Sequence, residues 1–186
     1  MHADSANGSA LESAIDRASK EFGGLDILVN NAAILTLGTI DKLTLSDFDK
    51  SFAINLRAVF IAIQAALKSM GDGGRIINIG SCNAERMPFE GGSIYAMAKS
   101  ALIGLTKGVA RDVGKRGITI NTIQPGPVDT DMNPATGEFA ESLKKLMAIP
   151  RYGNVEEIAS MVVYLASKDA SYITGSSLTI DGGFTA

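Results

Sequence analysis

Tryptophan is missing from these 186 residues, and cysteine and histidine occur once each. A lone thiol, Cys82, cannot close an internal disulfide, and His2, with no cysteine or second histidine near it, offers no metal site. Any strong basic field is also lacking: the formal net charge is -3 and no Lys/Arg run concentrates positive charge, so nucleic acid is not an expected partner. The polar opening "MHADSANGSA" lacks the basic-then-apolar order of a signal peptide, and no uninterrupted apolar run approaches the roughly 20 residues of a membrane-spanning helix. The expected setting is the cytoplasm, away from membranes. Repeats, low-complexity tracts and an obvious interdomain linker are likewise absent, so residues 1–186 read as one domain, with 46% hydrophobic content to build a core.

What is present alternates. Short β-branched runs, "LDILVNNA" (25–32), "GRIINIGS" (74–81), "GITINTIQPG" (117–126) and "SSLTIDGG" (176–183), are separated by helical patterns at 8–22, 45–69, 93–114 and 154–167. Near-continuous apolarity suits strands buried on both faces, and helices of that length suit crossovers between parallel strands. The pattern predicts an α/β fold with a doubly wound parallel sheet. "NVEE" matches a helix-opening capping box between Asn154 and Glu157. The stretch 131–149 reads as a loop.

In such sheets ligands sit outside the carboxyl ends of the strands, so those ends are where chemistry is sought. They read "NNAA" (30–33), "IGS" (79–81) and "QPGPVDT" (124–130), whereas the fourth is a plain "DGG". Each alone is ordinary turn or cap punctuation. The helix beginning near 93 adds "SIYAMAKSAL", in which Tyr95 and Lys99, four residues apart, share a face near those strand ends. A free phenol titrates near 10, and an adjacent ammonium favours the phenolate, so Lys99 is expected to lower the Tyr95 pKa. By itself the pair could equally be a core tyrosine beside a snorkelling lysine.

Taken together, Asn30-Asn31-Ala32, Asn55 in "INLRAVF", Ser81, Tyr95-x-x-x-Lys99 and Pro125-Gly126 in "QPGPVDT" resemble the short-chain dehydrogenase/reductase family from end to end of the chain. "IGSCNAERMPF", "QPGPVDTDMNP" and "TIDGGFTA" are further similar to a branch of it that binds cyclic di-GMP. The resemblance implies a Rossmann-type fold and an oxidoreductase moving hydride between NAD or NADP and a carbonyl or secondary alcohol. It implies Tyr95 as general acid/base, Ser81 as the hydrogen-bond partner of the substrate oxygen, Lys99 on Tyr95 and the nicotinamide ribose, and Asn55 as the anchor of a relay water. Asn31, Ala32 and Ala33 would line the cofactor with Pro125 and Gly126, Val128 and Thr130 would meet the carboxamide, and Asp4 with Ser5 would lie by the adenine. It also implies a homodimer or homotetramer joined through the 45–69 and 93–114 helices, whose Ala58, Ala62, Ala65, Ala66 and Ala110 exceed what one buried face needs.

Three departures qualify the transfer. Ala33 stands where the family has glycine, and its methyl is expected to crowd the cofactor. Ser81 lies one residue farther from Tyr95 than the family spacing, which Cys82 would hold, although "IGS" favours Ser81. No G-x-x-x-G-x-G turn, the family's pyrophosphate cradle, occurs in the sequence. The expectation is a partial Rossmann-type sheet lacking the N-terminal βαβαβ half, with a bare edge on its first strand and weak dinucleotide binding. The alternative is a nucleotide-binding module without turnover, for instance one that takes cyclic di-GMP.

Overall fold

The structure, a computed structural model, describes residues 3–186, so His2 lies outside the described residues. Helix α1 (Gly8–Phe22) starts where the Asn7 side chain accepts from the Ala10 backbone and stops at Gly23, whose left-handed φ of 77° suits glycine. Strands β1 (Leu25–Asn30), β2 (Met70–Ile79), β3 (Thr119–Pro125) and β4 (Ser177–Ile180) form one sheet in the order β1-β2-β3-β4, every pair parallel. Between them run α2 (Leu45–Phe52), α3 (Ala58–Leu67), α4 (Ser93–Val113), α5 (Glu138–Lys144) and α6 (Val155–Ala166). Helix α5 occupies part of the stretch read as loop.

Pleating sends alternate strand residues to opposite faces. Ile76, Ile118 and Ile120 meet Val59, Ile63 and Ala66 of α3 and Leu102 of α4 on one face. Ile77 and Ile123 meet Leu165 of α6 on the other. The sheet is therefore covered on both sides, and β3 is buried almost throughout. Strand β1 is an edge strand, with Ile27 and Val29 44% and 41% exposed.

The helix expected over 45–69 contains a π turn, Ala53–Arg57, in which the Ala58 N–H reaches the Ala53 carbonyl. Sequence periodicity does not single out such a turn. By length and composition alone the run Leu45–Leu67, with mean hydropathy 1.3 in its most apolar window, would pass for a membrane span. That corrects the reading of no such segment, although half of the window is buried within the fold. The alanine argument for assembly also needs correcting: Ala58, Ala62, Ala65 and Ala66 are all buried in this chain's own core, and Ala110 packs against it.

At the start of α6, Glu157 accepts from the Asn154 backbone N–H at 2.8 Å and is clamped by both Arg151 guanidinium nitrogens at 2.7 and 2.9 Å. Those bonds hold its carboxyl down to about 2.

Candidate active site

The carboxyl ends of β1, β2 and β3 open into a cavity of about 470 Å³. Asn31, Ala32, Ala33, Ser81, Tyr95, Lys99, Pro125, Gly126, Val128 and Thr130 all line it. Helix α4 delivers Tyr95 and Lys99 from its first two turns, and a chain of buried polar side chains beneath the cavity fixes the helix against the sheet. The Asn30 amide donates to Asn78 Oδ1 at 2.8 Å, Asn78 Nδ2 donates to Thr106 Oγ1 at 3.1 Å, and the Thr106 and Thr122 hydroxyls meet at 2.7 Å. Three strands and α4 are thus locked in one register, because sliding α4 would strand several buried polar atoms.

Ser81 is held from behind. Its backbone N–H donates to Oε1 of Gln124 at 2.6 Å, while its hydroxyl accepts from the Asn83 N–H at 3.2 Å and caps a short 3-10 turn, Cys82–Ala84. Gly80 makes this possible: a Cβ there would lie 2.1 Å from Gln124 Oε1 and 2.8 Å from Thr122 Cγ2. Gln124 Nε2 is buried without a partner among the described residues, so the amide is kept at a desolvation cost for the bond its oxygen makes. Gly126 has a similar constraint, since a Cβ would lie 2.6 Å from the Asp181 backbone.

Lys99 is 3% exposed, with its ammonium donating to the Ile79 carbonyl at 2.8 Å and lying 5.7 Å from the Tyr95 ring centroid. Burial pulls its pKa down to about 8. Tyr95 was expected to titrate low. Instead burial pushes its phenol up, opposed by a hydrogen bond with Ser81 and reinforced by Cys82. The physical reason is that both members of the pair are desolvated, and desolvation of the phenolate outweighs help from an ammonium turned toward a backbone carbonyl.

Three predicted residues do not line the cavity. Asn55, 1% exposed in the π turn, spends its side chain on the segment after β1: Oδ1 accepts from the Ile34 N–H at 2.9 Å, and Nδ2 donates to the Ile34 carbonyl and to Ser51 Oγ, each at 3.0 Å. That amide is occupied in shaping the 31–34 wall. Asp4 folds back onto the Ala6 N–H at 2.9 Å ahead of α1, and neither it nor Ser5 is part of the cavity wall. Ala33 is unstrained: among the described residues no residue other than glycine has a positive φ. Cys82 is buried, its thiol pushed up to about 12, which suits packing and not nucleophilic chemistry.

Several residues given no role from the sequence complete the wall, among them Phe89, Phe139 and Phe184. Phe184 is 1% exposed, with the Arg86 guanidinium over its ring and bonded to its carbonyl. Gln124 left a readable trace, a lone amide in an apolar strand just before Pro-Gly. The three phenylalanines are too far apart in sequence for spacing to unite them.

Residues 1–185 match the family model described as enoyl-(acyl carrier protein) reductase. A short-chain dehydrogenase/reductase from Serratia marcescens BCRC 10948 is 61% identical and superposes with a TM-score of 0.99, over 100% of this chain and 76% of that one. The chain belongs to the short-chain dehydrogenase/reductase family. Another short-chain dehydrogenase, from Burkholderia cenocepacia J2315 in complex with NADP, is 50% identical with a TM-score of 0.98, again over 100% of this chain and 76% of that chain. The cyclic-di-GMP-binding biofilm dispersal mediator protein of Escherichia coli (strain K12) is 49% identical over 178 residues, 96% of this chain and 75% of that protein. As a short-chain dehydrogenase/reductase, the chain is an oxidoreductase by descent and its parallel sheet is a Rossmann-type sheet.

Proposed function

We propose that this short-chain dehydrogenase/reductase interconverts a small-molecule ketone or aldehyde and its alcohol with NAD or NADP, Tyr95 carrying the proton. The observation that carries the reading is the convergence of Ser81, Tyr95 and Lys99 on one cavity at the carboxyl ends of the strands. The nicotinamide end of a dinucleotide fits what is there: Asn31, Ala32, Ala33, Pro125, Gly126, Val128 and Thr130 form a wall of mostly small residues, and the buried Lys99 ammonium has donors beyond its bond to Ile79 with which to take ribose hydroxyls. Bound there, the cofactor supplies the hydride.

The protein's part is proton handling and positioning. Ser81 Oγ donates to the substrate carbonyl oxygen and aims it at Tyr95. The phenol, protonated at neutral pH even at its ordinary value near 10 and pushed higher by burial, passes its proton to that oxygen as negative charge grows on it. Reduction uses the protonated phenol, whereas oxidation needs the phenolate and gains in rate with rising pH. Asn55 acts as a positioning residue that fixes the 31–34 wall.

The alternative, a cyclic-di-GMP module, is less favoured by the site, because among the described residues the cavity wall holds no arginine for two phosphates and Lys99 is its only cation. We further propose a cytoplasmic homodimer or homotetramer joined across the groove of Phe52, Leu56, Phe60, Ala101 and Leu105, where Phe60 is 46% exposed; light scattering reads this out. The function is tested by incubating the full-length protein with a ketone and NADPH deuterated at the transferring position. Deuterium on the carbinol carbon supports the reading. Its absence, with cyclic di-GMP binding seen by calorimetry, overturns it in favour of the alternative.

A further inference from the structure

Besides its small residues, the cavity has an apolar and aromatic lining. Leu35, Phe89, Met132, Phe139, Leu143 and Phe184 form it, brought together from the loop after β1, the loop before α4, the segment around α5 and the chain's last residues. Among the described residues, no carboxylate, guanidinium or imidazole lines the cavity. Among the described residues its one cation is Lys99, which donates to the Ile79 carbonyl and, on the reading above, to the ribose hydroxyls. A substrate bearing a carboxylate or phosphate beyond its carbonyl would be desolvated there with no opposite charge. A polyol would find few side-chain partners, since Asn31, Asn83 and Asn133 are the amides of the lining.

The aromatic residues are also arranged. Phe89 and Phe139 meet edge to face, with centroids 5.4 Å apart and planes at 80°, leaving ring faces for a further π-system. Phe184 is fixed by Arg86, whose guanidinium grips its backbone carbonyl and covers its ring, so this surface is rigid. Phe139 is half exposed on α5, at the solvent side of the cavity.

Resting on the carbonyl-reductase reading above, we infer that the substrate is an uncharged ketone carrying an aromatic ring, its carbonyl at Ser81 and Tyr95 and its ring against Phe89 and Phe139. Phe139 is the specificity residue.

The test uses acetophenone, 2-butanone and pyruvate as probes, with ligand-observed saturation-transfer NMR for binding and NADPH consumption for turnover. Acetophenone gains protein-transferred signal and is reduced, and pyruvate does neither. Phe139→Ala, at a half-exposed position where truncation spares the core, raises KM for acetophenone about tenfold and that for 2-butanone less than about twofold. Phe89→Ala has the same sign. Pyruvate preferred over acetophenone, or Phe139→Ala affecting both ketones alike, overturns the inference. Acetophenone bound through Phe139 but never reduced upholds this subsite and instead sinks the reductase reading.

Discussion

Replacing Lys99 by methionine should stabilise the protein at neutral pH and lose that advantage as the pH rises. Lys99 is 3% exposed and its ammonium bonds one carbonyl, with no carboxylate beside it, so the folded state holds a poorly compensated charge. Its pKa falls from the ordinary 10.5 to about 8. At roughly 1.4 kcal/mol per pH unit, keeping the lysine charged costs the fold about 3 kcal/mol at neutral pH. Below 8 that cost is fully present. Between 8 and 10.5 the unfolded chain holds the proton that the folded one has released, so stability rises with pH and the cost is relieved, by about 2 kcal/mol at pH 9.5. Methionine fills much the same space without the charge. Urea unfolding of both proteins from pH 7 to 9.5 gives the difference directly, with other titrations largely cancelling. A variant advantage that shrinks by about 2 kcal/mol over that interval agrees with the burial argument. A difference that stays constant with pH, or a less stable variant at pH 7, refutes it.

Other outcomes follow from the same contacts. Gly80→Ala drives a methyl into Gln124 Oε1 and should destabilise by about 1–3 kcal/mol in urea unfolding while lowering any turnover that depends on Ser81. Asn55→Ala leaves the Ile34 N–H and carbonyl unpaired, at a cost of about 3 kcal/mol, with hydrogen exchange at Ile34 accelerated far more than in the β3 strand. Cys82 should resist a thiol reagent at pH 8 in the native state and react once urea unfolds the chain, because its thiol is buried and pushed up to about 12. Prompt reaction of the native protein would show that the cavity floor opens.

The fold was legible because its information is local. The runs around Ile27, Ile76, Ile120 and Leu178 carry a buried-strand signature, and α1 fell on its predicted bounds because Asn7 and Gly23 mark both ends. The strand-end residues were legible for a topological reason, since parallel strands must present their carboxyl ends together. What the sequence could not convey is how a side chain is spent. Asn55 sits in the motif expected of a catalytic residue, yet the π turn points its amide at Ile34. Lys99 was expected to lower the Tyr95 pKa, but mutual burial decides the sign, and burial is a property of the packed whole. The π turn and the aromatic wall share that character, for both depend on segments that meet only after folding.

The central claim is that Tyr95 carries the proton to a carbonyl held by Ser81. Its most direct measurement is ketone reduction by Tyr95→Phe in the full-length protein, with NADPH affinity followed in parallel by nicotinamide fluorescence. The variant keeps the ring and loses only the hydroxyl. Turnover falling by at least about a hundredfold with affinity changed less than about threefold is the predicted result. Undiminished turnover would remove Tyr95 from the chemistry and contradict the account.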